Sequence, residues 1–105
     1  RSFVLDTLEM LRLLCEGHFC ELQDFLRDQP TALTTIDIVS EVYELLLALE
    51  PELDKTNFDQ VLKCVDTLCE FVQGNASQGN TARLIDTRLL EVLERLILKP
   101  SEGSD

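Results

Sequence analysis

Apolar residues recur along this chain at steps of three and four, the spacing of one helix face, and polar or glycine-bearing breaks divide the pattern into about five stretches. Val4, Leu8, Leu11 and Cys15 draw a first helix over residues 3–15, and Gly17 stands where a left-handed cap needs a residue without Cβ. A valine at Gly17 is then expected to cost about 1 to 2 kcal/mol. Phe19, Leu22, Phe25 and Leu26 stripe a second helix that starts at His18 and must stop before Pro30.

After the loop "PTALTT", Thr34 with Asp37 makes a cap pattern that opens a third helix. It carries Ile36, Val39, Tyr43 and Leu46 on one side and Ile38, Val42, Leu45 and Leu49 on the other, so it is expected to be covered on both faces and to form the centre of the fold. Pro51 ends it. Thr56 and Asp59 repeat the cap pattern before Phe58, Leu62, Val65, Cys69 and Val72, which mark a fourth helix closed by Gly74. "GNASQGN" reads as a mobile polar loop open to proteolytic nicking, and residues 81–86 as a short turn. A last helix over residues 87–98 is expected to bury Leu90, Leu93 and Ile97 and to pair Glu91 with Arg95.

Brief connections between such stretches give an all-α fold of antiparallel helical hairpins. Composition agrees: 45% of the 105 residues are hydrophobic, against 6% aromatic, with only 4 Gly and 3 Pro. That length suits a single helical domain over residues 1–99, followed by a flexible tail over 100–105.

Charge narrows the function. Twenty acidic residues outnumber nine basic ones, for a net charge of −11. Such a surface repels phosphate backbones and anionic membranes, which are bound by clustered Lys and Arg; it reads first as a solvated face that keeps the domain in solution, and second as a surface for a basic partner segment or loosely held cations. No apolar run approaches the roughly 20 residues of a bilayer span, and "RSFVLDTLEM" lacks the order of a signal peptide. A start on Arg1 in place of Met reads as a piece of a longer protein. Four cysteines in a Leu-rich helical chain are expected to be reduced core residues in a reducing compartment.

The densest candidate chemistry is "LLCEGHFCEL". Cys15, His18 and Cys20 give C-x-x-H-x-C, and zinc would need Cys64 or Cys69 as a fourth ligand. The spacing is poor for paired knuckles, and packing is the better reading. Cys20 near a helix start is a weaker candidate nucleophile, with no oxyanion loop or orienting third residue beside it. The chain has no phosphate-binding glycine loop and no EF-hand loop, so no catalytic residue, cofactor or metal is expected. "NAS" at Asn75 is a glycosylation sequon in form only. "LLCEGHFCEL" and "LKCVDTLCEF" also echo each other, at an offset near that of armadillo-type repeats.

Read together, "LLCEGH", "ELQDFLRDQ", "TTIDIV" and "TLCEFVQG" resemble, in order and spacing, the RIH-associated helical domain of intracellular calcium-release channels, the inositol trisphosphate and ryanodine receptors. Leu14, Cys15, Glu16, His18, Leu22, Gln23, Leu26 and Arg27 carry the first half of the resemblance, and Glu70, Gln73 and Gly74 the second. Asn75 and Ala76 stand where that family commonly has Pro-Cys. The resemblance implies an armadillo-like right-handed helical array on the cytosolic face of the endoplasmic or sarcoplasmic reticulum. It further implies a non-catalytic regulatory module, partnered by neighbouring helical domains and other subunits of the same channel, that passes conformational change toward the pore. The alternative is a helical protein-interaction adaptor of an unrelated cytoplasmic protein.

Overall fold

In the structure, a computed structural model that describes residues 3–17 and 20–98, the apolar periodicity resolves into six α-helices, with no strand among the described residues. They are α1 (Phe3–Leu14), α2 (Cys20–Phe25), α3 (Ile38–Leu49), α4 (Phe58–Val72), α5 (Gly79–Ile85) and α6 (Leu89–Leu98), with a 3-10 turn at Glu50–Glu52 around Pro51. The expected start of the second helix at His18 and the expected tail over 100–105 lie outside the described residues. The expected turn over residues 81–86 is a full helix, α5. No described helix is long and apolar enough to cross a membrane.

The centre of the fold is α4, where α3 was expected. α4 packs against α1, α3 and α5, while α5 also reaches α2 and α3, and α6 rests on α5. Val61, Cys64, Leu68 and Phe71 of α4 join Leu8, Leu11 and Cys15 from the α1 segment, and Val39, Val42, Tyr43 and Leu46 of α3, in one core. α3 therefore buries one broad face, and Ile36, outside the helix, is exposed.

Two stripes are out of phase with the sequence expectation. In α4, Phe58, Leu62 and Cys69 face outward, and the buried line runs one position earlier through Val61, Cys64, Leu68 and Phe71. Thr67 sits in that line at no polar cost, because its hydroxyl donates to Lys63 O (2.7 Å) and Leu8 O (3.3 Å). In α6, Val92 is buried while Leu90 and Ile97 are exposed. Both helices are apolar on two sides, so the neighbour decides which side is inside.

Helix ends differ from expectation as well. α3 is capped by Asp37, whose carboxylate accepts from Ser40 N at 2.9 Å; Thr34 lies out in the exposed loop. Thr56 does not cap α4, whose N-cap position is Asn57; the Thr56 hydroxyl and amide both donate to Asp54. The loop between α2 and α3 is closed by Gln29, whose carboxamide accepts from Ile36 N (2.7 Å) and donates to Ile36 O (2.9 Å), as a strand partner would. Arg95 pairs with Glu50 (2.9 Å) in place of the expected Glu91, which sits by Arg88 at 3.8 Å.

Gly17 is not left-handed. α1 ends by tightening, with Cys15 N donating to Arg12 O (3.1 Å) and Glu16 N to Leu13 O (3.2 Å), which satisfies those carbonyls without a reversed residue. A Cβ at Gly17 would meet no described atom within 4 Å. The left-handed glycine is Gly74, with φ of 65°, just past α4. Gly74→Ala is accordingly expected to cost about 1 to 2 kcal/mol, and Gly17→Val less than about 0.5. Urea denaturation of the two variants checks this, and equal losses would remove the assignment.

Candidate functional site

A helix of six residues such as α2 does not stand alone in water, and apart from Leu26, which follows it into the core, its apolar residues are only part-buried or exposed. Its most buried side chain is Gln23, which has no exposed surface. The Gln23 carboxamide donates to Glu70 O (2.9 Å) and Gln73 O (2.8 Å), two of the carbonyls that the end of α4 leaves without helical partners. Its oxygen accepts from Asn75 Nδ2 at 3.1 Å.

Asn80, also without exposed surface, closes the structure from the other side. Its Nδ2 donates to Gln23 O and Phe71 O, both at 2.8 Å, and its Oδ1 accepts from the Arg27 guanidinium at 2.8 Å. Its backbone N–H donates to Asn75 Oδ1 at 3.2 Å. Three carboxamides thus tie α2, the end of α4 and the start of α5 together, with their polar groups satisfied inside the protein. Arg27 lies across Gly79, where a Cβ would collide with the guanidinium.

Asp24 anchors the outer edge. Its carboxylate accepts from Ser77 Oγ (2.7 Å), Asn75 Nδ2 (3.1 Å) and Arg27 (3.3 Å), and Cys20 Sγ donates to it at 3.3 Å. Burial pushes the Asp24 carboxyl up, but the bonds from Ser77, Asn75 and Cys20 and the charge of Arg27 outweigh it and hold the group below its ordinary value.

The segment expected to be a mobile loop is therefore an anchor. Ala76, Ser77 and Gln78 are exposed, but Asn75 and Asn80 on either side of them are buried and bonded. Gln78 adopts a left-handed φ of 58° to make the turn. The Asn75 sequon is closed to modification in the folded chain, since its carboxamide nitrogen is buried among three acceptors.

A second polar seam joins α1 to α4. Arg12 meets Glu9 (2.8 Å), Glu16 (3.5 Å) and Glu70 (3.8 Å), and Lys63 meets Glu9 (2.8 Å). Hydrogen bonds from Arg12 and then Lys63 lower the Glu9 carboxyl from 4.5 to about 2. A depressed carboxyl stabilises the fold fully above its unfolded value and loses that contribution as the pH falls through its folded value, here between about 5 and about 2. Glu9→Gln is expected to melt below the parent at about pH 6 and to converge with it near pH 2. A melting gap that stays constant across that range would rule the assignment out.

The cysteines do not converge. Cys15 and Cys64 are core residues whose thiols burial pushes up to about 11. Cys69 is exposed, its thiol raised by burial and then by Asp66 and Glu70, and Cys20 belongs to the Asp24 cluster. Among the described residues no three His, Cys, Asp or Glu side chains come together as a metal site would require, and His18 lies outside them. What does converge is Gln23, Arg27, Glu70 and Gln73. Asn75 and Asn80 were not expected there; their signal is the repeated triplet Gln-Gly-Asn at 73–75 and 78–80.

Residues 1–97 match the family model described as RyR and IP3R Homology associated. The chain is 31% identical over 107 aligned residues to the inositol 1,4,5-trisphosphate receptor itr-1 of Caenorhabditis elegans, an alignment covering 92% of this chain and 4% of that receptor. No solved structure matches it.

Proposed function

The chain belongs to the RyR and IP3R Homology associated family, and from that membership we propose that it is a non-catalytic regulatory and structural module of an intracellular calcium-release channel. In this reading it lies on the cytosolic face of the endoplasmic or sarcoplasmic reticulum, within an armadillo-like array of helical neighbours, and helps carry ligand-induced change toward the pore. The observation that carries the reading is the carboxamide network. Gln23, Arg27 and Asn80 fix α2 to the end of α4 and the start of α5 through buried, directional bonds, so the three elements move as one body. Carboxamides do not titrate, so Gln23, Asn75 and Asn80 are suited to holding geometry more than to chemistry.

The test is ligand-evoked calcium flux through a full-length channel carrying this segment with Arg27→Lys, which keeps the charge and loses the planar guanidinium whose Nη1 donates to both Asp24 and Asn80. Expected is a fall in ligand sensitivity of about tenfold with ligand binding and expression preserved, within the usual range of coupling energies. Unchanged flux would sink the reading and favour the helical adaptor instead.

A further inference from the structure

We propose that the apolar groove formed by α4, α5 and α6 is a docking site for an amphipathic helix that carries basic residues along both flanks of its apolar face. The groove encloses about 220 Å³ and is lined by Val65, Cys69 and Val72 of α4, Ile85 of α5, and Leu90 and Leu93 of α6. Ile85 is 66% exposed and Leu90 75%, and the stripe continues along α6 to Ile97 at 80%. Leu90, Leu93 and Ile97 are spaced by three and four, the signature of a helix face that expects a second helix. α6 already spends Val92 on the core, so this is a separate apolar face, of a kind that marks interaction surfaces.

Charge identifies the occupant. Asp66 stands one turn before Cys69 on α4 and Glu94 one turn after Leu90 on α6, both exposed, so helix spacing sets a carboxylate beside a groove-lining residue on each of these two helices. The charges of Asp66 and Glu70 are felt at Cys69 on the groove wall. Among the described residues, six basic side chains pair with carboxylates of the protein itself: Arg12 and Lys63 with Glu9, Arg27 with Asp24, Arg83 with Asp37, Arg88 with Glu91 and Arg95 with Glu50. A second copy of this chain, itself at −11, would set acid against acid, whereas a helix with basic flanks meets both the apolar floor and the acidic rim. α6 has ten residues, so the matching partner face spans about three turns, or roughly 15 Å. The inference stands on groove and charge and does not rest on the channel reading.

The experiment is fluorescence anisotropy of the full chain with three labelled synthetic helices. One has leucines at i, i+3, i+4 and i+7 flanked by Lys and Arg; one has the same leucines flanked by Glu; one keeps the basic residues but scrambles the leucines. Only the first is expected to bind, with affinity lowered at least about tenfold by Leu90→Asp and by Ile85→Glu, and weakened by added salt. Both sites are solvent-exposed, so melting curves that match the parent are expected to certify the fold, and the second variant serves if the first does not fold. Equal binding by the scrambled helix, no effect of either variant, or a sedimentation-detected dimer that the variants dissociate would each overturn the proposal.

Discussion

Asn80→Ala is expected to lower the unfolding free energy by about 3 to 4 kcal/mol, a large share of what a domain of this size has. The estimate follows from what the substitution strands. Two backbone carbonyls, Gln23 O and Phe71 O, each lose a donor at 2.8 Å in a place water does not reach, and such orphaned groups cost about 1 to 3 kcal/mol apiece. The Arg27 guanidinium loses its 2.8 Å acceptor as well but keeps Asp24 and lies closer to solvent, so its share is smaller. Asn80→Ala and Arg27→Ala should therefore be less than additive, because each removes the same bond. Chemical denaturation of the two single variants and the double variant measures this. A loss under about 1 kcal/mol for Asn80→Ala would mean that the network contributes little to the fold.

Helices were legible in this sequence; the side each one buries was not. α1 followed its expected stripe, with Leu8, Leu11 and Cys15 buried and Val4 packed against them, although Phe3, Met10, Leu13 and Leu14 offer a second apolar set that stays exposed. α4 and α6 did not: Leu, Val and Phe fall on two stripes each, and the choice between them is made by α1, α3 and α5, which periodicity within one helix does not see. Polarity misled in the opposite direction. Asn75 and Asn80 read as parts of a polar loop, yet together with Gln23 they bond to backbone carbonyls and to one another in positions that appear only once α2 meets the end of α4. The resemblance to a family flagged Gln23, Arg27, Glu70 and Gln73 without showing why those residues matter; the structure shows that they are one hydrogen-bonded cluster. Gly17 is the reverse case, a residue type that suggested a conformation which α1 avoids by tightening its last turn.

Phe71→Ala should cost about 3 to 5 kcal/mol, and Phe25→Ala less than about 1. Sequence alone ranks them the other way, since Phe25 sits on the stripe expected for the second helix and Phe71 lies off the one expected for the fourth. The structure separates them: Phe71 has no exposed surface and stands on the helix that α1, α3 and α5 all contact, whereas Phe25 is 56% exposed at the end of α2. Phe3 and Phe58 are exposed too, so among the described residues Phe71 is the phenylalanine committed to the core. Truncating it removes transfer energy and leaves a cavity that neighbours such as Leu46, Leu68 and Val92 fill only in part. Phe71→Leu is expected to recover roughly half of the loss by retaining most of the volume. Because Phe71 O also receives the Asn80 carboxamide, a shift of α4 in the alanine variant should loosen the carboxamide network, and amide exchange at residues 75 and 80 should speed up with it. Faster exchange in Phe71→Ala and unchanged exchange in Phe25→Ala would establish that the core and the network are mechanically joined through α4. Equal exchange in both would mean that the two are independent, and the account of α2, α4 and α5 as one body would fall.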